Sequence, residues 1–341
     1  VASVFVLLLW ACNPDEPPPP TLPDADSTRG VFIANEGNFG SGNASLSYLD
    51  LPTDQMSNGL FAAVNSGRPL GDVLQSVTLR DSLAYLVVNN SGKIAIIHNR
   101  TFAVVDSVVG LVSPRYLLFV SATKAYCSDL YADAVSVIDV PSRRVIKQIP
   151  LPGWTEELQL VDGRVFVTNL RRRYLYVLDP ATDRLVDSVD VGGGNNSLQL
   201  DREGQLWVAC GAAVADVAAP ALVRVDPRTL LVTKRLAAPS GSPSSLRING
   251  GADTLYYLSG NEAFRLPVAA SDQIPTRPFV AGRSGEDFYG LGVEPTSGEV
   301  YVADARRFTA RGRVLRYRPD GTLRGTYGVG VGPGAFAFAV E

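Results

Sequence analysis

Residues 158–191 read LQLVDGRVFVTNLRRRYLYVLDPATDRLVDSVDV. The pair DG at 162 is a tight-hairpin signal. Before it, LQLV is a short apolar strand, and after it RVFVTN is a second strand centred on an aromatic residue. YLYVLDP then alternates with period two and ends at an Asp. The segment after that Asp turns back through polar residues into a fourth, more charged strand. Four consecutive antiparallel strands joined by short turns make one blade-like sheet.

The same unit recurs along the chain. Aromatic-centred strands stand at VFIANEG (31), LAYLVVNN (83), KAYCSD (124), RVFVTN (164), QLWVAC (205), TLYYLSG (254) and EVYVAD (299). Their partners are ASLSYLD (44), GKIAIIH (92), AVSVIDV (134), YLYVLDP (174), ALVRVDP (221), EAFRLP (262) and RVLRYRPDG (313). The spacing is about 40 residues, stretching to about 50 where loops are long, which is the period of a four-stranded propeller blade. Seven copies predict an all-β, seven-bladed β-propeller over residues 31–341. The first aromatic strand has no innermost strand before it, whereas GPGAFAFAV at 332 resembles an innermost strand with nothing after it. The C-terminal strand 334–339 is therefore expected to complete the first blade and close the ring, removing exposed sheet edges.

Upstream of the repeats the chain changes character. Residues 1–11 are almost wholly apolar and too short to span a bilayer, and they end beside Cys12. They read as an incomplete signal peptide of the bacterial lipoprotein kind, with Cys12 as the lipid-anchored first residue of the mature chain. Residues 12–30 are rich in Pro and acidic residues and read as an extended tether. An outer-membrane lipoprotein exposed at the cell surface is the expected location. The remaining cysteines, Cys127 and Cys210, fall two blades apart, too far for a disulfide needing roughly 4.4–6.8 Å between Cα atoms, and are expected to be buried free thiols.

The segment VFIANEGNFGSGNASLSYLDLPTDQMSNGLFAAVNSGRPLGDVLQS, residues 31–76, resembles the first blade of Bacteroidota surface lipoproteins related to the YncE-like and YVTN-type propellers. Some members of that family bind cobalamin above a TonB-dependent outer-membrane transporter. The resemblance implies non-catalytic capture of a small nutrient, with cobalamin or another corrinoid as the ligand and such a transporter as partner. No resident cofactor is expected.

The long loops gather on one face, those joining second to third strands and one blade to the next, and length variation on one face marks a binding surface. Amide candidates there are Asn35, Asn90, Asn169, Asn195 and Asn196. Aromatic candidates are Phe39, Tyr131, Trp154, Tyr289 and Phe308, and Arg68, Arg171 and Arg307 suit a phosphate or carboxylate. Asp287 completes the set. The same Asn residues also suit turns that need a left-handed backbone.

Composition narrows the function. A net charge of −3 and a charged fraction of 19% imply no nucleic-acid surface. His98 is the one histidine, there is no GxSxG elbow, and no calcium-loop array occurs, so no metal site or enzyme is expected. Two other classes stay open. One is a protein-interaction or scaffold propeller in a surface complex. The other is a carbohydrate-acting lyase or hydrolase using Glu36, Glu156, Glu157, Glu286 or Asp287.

Overall fold

The computed structural model describes residues 28–211, 219–238, 241–270 and 272–340. The apolar start, Cys12 and the tether up to residue 27 lie outside the described residues, as does 212–218 of the long loop at 211. Seven four-stranded antiparallel sheets form a closed β-propeller. The first strand, Thr28–Asn35, begins slightly earlier than residue 31, inside the stretch expected to be tether.

In six blades the strands run from the axis outward in chain order. Blade 4 is typical: Thr155–Val161, Arg164–Asn169, Tyr174–Asp179 and Arg184–Asp190. Blade 1 differs as expected, because its inner strand is Pro333–Val340, paired antiparallel with Thr28–Asn35 so that Phe32 faces Ala337 and Ala34 faces Ala335. Blades 2, 3, 5, 6 and 7 span 74–109, 114–150, 195–237, 244–281 and 288–331.

Period-two alternation builds the core. In blade 4, Val165 and Val167 face blade 3 and join a cluster with Tyr126, Val135 and Val137. Phe166, Leu175 and Val177 join the cluster on the other side, with Val208 and Val223 of blade 5. Successive residues therefore stabilise successive interfaces, at about 1.5–3 kcal/mol for each fully buried large aliphatic side chain. The outer strand Arg184–Asp190 is exposed except at Val189 and carries the charge. The Asp that ends most third strands caps the following turn: Asp139 accepts the Ser142 amide at 2.8 Å, Asp179 that of Ala181 at 2.9 Å, and Asp226 that of Arg228 at 2.8 Å.

The closing seam is tight. Phe336 and Phe338 of the last strand lie 6.0 and 5.5 Å from the fully buried Tyr301 ring of blade 7. A Cβ at Gly290 in the inner strand of blade 7 would sit 2.2 Å from the Gly334 carbonyl oxygen, so only glycine admits this approach. Cys127 and Cys210 are free and buried, in blades 3 and 5. Among the described residues, no helix is long and apolar enough to cross a membrane.

Candidate functional site

Every inner strand carries one extra residue near its start. The register against the second strand slips between Leu74 and Ser76, Pro114 and Leu117, Thr155 and Leu158, and Asn195 and Ser197. It slips likewise between Ser244 and Arg247, between Phe288 and Gly290, and at Pro333/Ala335. A bulge re-aims the inserted residue out of the pleat. Here the inserted residues are Gln75, Arg115, Glu156, Asn196, Ser245, Tyr289 and Gly334, and all seven line one cavity of about 270 Å³ at the mouth of the central channel.

The chemistry of this ring is dense. Arg115 donates to Gln75 of blade 2 and, through Nε, to Glu156 of blade 4 at 2.9 Å. Across the channel, the Arg247 guanidinium of blade 6 meets Glu157 Oε1 at 2.8 Å, and Glu157 Oε2 accepts the Leu198 amide at 3.1 Å. Glu36, on the loop after Thr28–Asn35, accepts the Tyr289 hydroxyl. Burial pushes the Glu36 carboxyl up from 4.5 to about 7, against the pull of Arg115 and of the Tyr289 hydrogen bond. Burial also raises Glu156, although Arg115 opposes it, and desolvation drives the half-buried Tyr116 hydroxyl well above its ordinary value. Such an arrangement is chemically able to bind polar groups, and a carboxyl poised near neutrality can also exchange a proton.

Around the mouth stands an aromatic rim. Phe39 is 76% exposed, Tyr131 59% and Tyr289 41%. Tyr289 meets Phe308 edge-on at 5.1 Å, and the Asn38 amide, donating to the Phe308 carbonyl at 2.8 Å, ties the loops of blades 1 and 7 together. On the other side Tyr131 meets Trp154 edge-on at 5.8 Å, and the Arg171 guanidinium lies 3.9 Å from the centre of the Trp154 ring. A cavity of about 370 Å³ runs between Phe39, Phe308 and Tyr131, sharing Glu36, Gln75 and Arg115 with the channel. A second, of about 570 Å³, lies between Tyr131, Trp154, Arg171 and Arg172.

The sequence candidates separate cleanly. Phe39, Tyr131, Trp154, Arg171, Asn196, Tyr289 and Phe308 line these three cavities. Asn35, Asn169 and Asn195 do not: all three are fully buried and pin loops. Asn169 Oδ1 accepts the Trp154 and Arg171 amides, each at 3.1 Å, and Asn195 Oδ1 accepts the Asn169 amide at 2.7 Å. Asn35 donates to Ser47 at 2.9 Å. They end a second strand or begin an inner one, where Asp129 and Asp304 do the same work in blades 3 and 7. Asn90 is held by Asp72 at 2.5 Å, and Asp287 accepts the Arg307 amide at 3.1 Å. Arg68, Asn90 and Arg307 are exposed and line none of the three cavities.

Gln75, Arg115, Tyr116 and Arg247 escaped the sequence reading, and Glu36, Glu156 and Glu157 entered it only as scattered acids. The available signal was the break in alternation where each inner strand begins, as in TEELQLV, NNSLQL and PRYLLF, where polar residues precede the regular apolar pattern. Among the described residues, no group of three His, Cys, Asp or Glu side chains is placed to hold a metal ion.

Solved structures share this architecture at low identity. A quinonprotein alcohol dehydrogenase-like protein from Bacteroides thetaiotaomicron superposes with a TM-score of 0.74 at 16% identity, covering 92% of this chain and 79% of its own. A functionally unknown protein from Desulfotomaculum acetoxidans gives 0.71 at 11% identity, over 92% and 99%. The periplasmic gluconolactonase of Pseudomonas aeruginosa gives 0.68 at 15% identity, over 91% and 99%. These likenesses establish the fold alone. No curated protein matches the chain. A family model does, across residues 29–315, from the first strand into the third strand of the last blade, and the chain therefore belongs to the family described as "Domain of unknown function (DUF5074)".

Proposed function

We propose that this protein is a non-catalytic binding protein that takes a small amphipathic ligand into the funnel formed by the aromatic rim and the channel mouth. The observation that carries this reading is the sevenfold bulge: each blade turns its inserted residue toward one cavity, a side chain in six blades and Gly334 in the first, beside exposed aromatic rings. Rings stiffly mounted on a closed propeller lose little freedom on binding, so their contact area converts efficiently into affinity. The first-blade resemblance makes cobalamin or another corrinoid the first ligand to test. With Cys12 as lipid anchor and the Pro-rich tether behind it, the protein would present that ligand at the cell surface to a TonB-dependent outer-membrane transporter.

Titration calorimetry with cyanocobalamin and cobinamide tests the reading. Binding at micromolar protein, weakened about ten-fold or more by Phe39→Ala, Tyr131→Ala or Trp154→Ala, supports it. Absence of heat with both corrinoids removes them as ligands and favours a scaffold propeller. In the native host Cys12→Ala should release the protein from membranes, and an unmodified residue upstream of Cys12 in the mature protein would exclude the anchor.

A second reading draws on Glu36. A carboxyl held near 7 beside a tyrosine hydroxyl and a guanidinium is suited to proton transfer, as a carbohydrate lyase or hydrolase requires. New reducing ends or unsaturated products from polysaccharide substrates, abolished by Glu36→Gln, would favour it over plain binding.

A further inference from the structure

The channel mouth has an odd charge count. Three carboxylates, Glu36, Glu156 and Glu157, share the cavity with two guanidinium groups, Arg115 and Arg247. Each guanidinium is committed to one carboxylate, Arg115 to Glu156 and Arg247 to Glu157. Glu36 makes no ion pair among the described residues and has the Tyr289 hydroxyl as its side-chain donor. When Glu36 is ionised, this buried cavity carries one more negative charge than its two guanidinium groups balance, an arrangement that favours either a proton on Glu36 or a cation beside it.

A second feature of the same cavity is the carboxylate of Glu156. Glu156 is 3% exposed, and while its Oε2 receives Arg115, its Oε1 is buried without any hydrogen-bond donor. Buried acceptors normally find a partner, and one left open beside a cavity marks where a donor is missing. With Glu36 ionised, the cavity can therefore accept both a positive charge and a hydrogen-bond donor.

We infer that the channel mouth is a subsite for the ammonium group of an amine-bearing ligand, received by Glu36 and Glu156 within the ring of bulged residues. An ammonium is a compact cation with three donors and no acceptor, and so supplies both. A divalent metal would need more oxygen ligands than any described cluster of His, Cys, Asp and Glu offers. An anion would add to the existing excess, since both guanidinium groups are engaged. The inference rests on the binding reading above and names the chemistry at the deep end of the same funnel.

Matched fragment pairs test it: ethanolamine against ethylene glycol, and glucosamine against glucose, followed by saturation-transfer NMR in phosphate buffer at neutral pH. Each amine should bind at least about ten-fold more tightly than its neutral partner, the gain of a charge-assisted contact. Glu36→Gln should abolish the preference. Glu156→Gln removes the same unit of charge from the cavity and should do likewise, which keeps the test decisive if one variant fails to fold. Equal binding of neutral partners, a preference that survives both substitutions, or no amine bound at millimolar concentration would overturn the inference. Corrinoid binding that depends on the rim, without any amine preference, overturns this subsite and leaves the binding reading standing. Amine preference without corrinoid binding retains the subsite and removes the corrinoid.

Discussion

The Tyr289 hydroxyl donates to both carboxylate oxygens of Glu36, at 3.0 and 3.1 Å, and so links the inner strand of the last blade to a loop of the first. This contact lies across the closing seam of the ring, at the point where the channel opens. Fold closure and site chemistry meet in one pair of side chains.

The pair gives the protein a defined response to pH. Burial holds Glu36 near 7 against an ordinary 4.5, so between these values the folded state binds a proton more tightly than the unfolded one. The stabilising effect of protonation is complete below 4.5 and is lost as the pH rises through about 7, a change of about 3 kcal/mol. Thermal melts of Glu36→Gln and the parent protein across this range should show the variant gaining about that much relative stability from the acid to the neutral side. A pH-independent difference would contradict the assignment.

Gly290→Ala should destabilise the ring. Its new Cβ meets a backbone oxygen that no rotamer change can move, and overpacking of this kind costs about 1–3 kcal/mol. Gly328, on the outer strand of the same blade, has open space where a Cβ would stand, so Gly328→Ala should be neutral or slightly stabilising. Denaturant midpoints of the two variants provide the comparison.

Removal of residues 333–341 takes away an inner strand, together with Phe336 and Phe338 against Tyr301. The truncated chain should lose its cooperative melting transition, because the first blade is left without its axis-facing edge. The milder Phe338→Ala should lower stability by about 2–4 kcal/mol. An unchanged melting curve in the truncated chain would refute closure by this strand.

Burial drives the Cys127 thiol far above its ordinary range and pushes Cys210 up to about 12, so neither supplies thiolate at neutral pH. In a Cys12→Ser background, a thiol reagent should find no reactive cysteine in the native protein and two after denaturation. Reaction under native conditions would place one of them at the surface.

The fold was legible because its signals repeat. One aromatic strand and one alternating partner can be mistaken, but seven of each cannot, and the unmatched segments at either end named their own pairing. The aromatic rim was legible for a related reason: Phe39, Tyr131 and Trp154 sit in connections between strands on one face, outside the alternating core pattern. Side-chain type misled the reading at Asn35, Asn169 and Asn195. An amide that suits a ligand suits the backbone equally well, and at these places the backbone needs it, as the bonds from Asn169 to Trp154 and Arg171 show. The channel ring stayed hidden because a bulge is a register event between two strands. Nothing in Gln75 or Arg115 alone reports that the residue has been turned toward the axis.

The sevenfold bulge also separates two kinds of information in the chain. An inserted residue stands outside the pairing register, so its identity can change without altering which residues face which across the sheet. Read around the axis, Gln75, Arg115, Glu156, Asn196, Ser245, Tyr289 and Gly334 form a seven-letter word written on a fixed frame. Replacing a single letter should change the chemistry of the cavity while the pairing register of the blades stays as it is, which makes this ring a natural place to vary that chemistry by design.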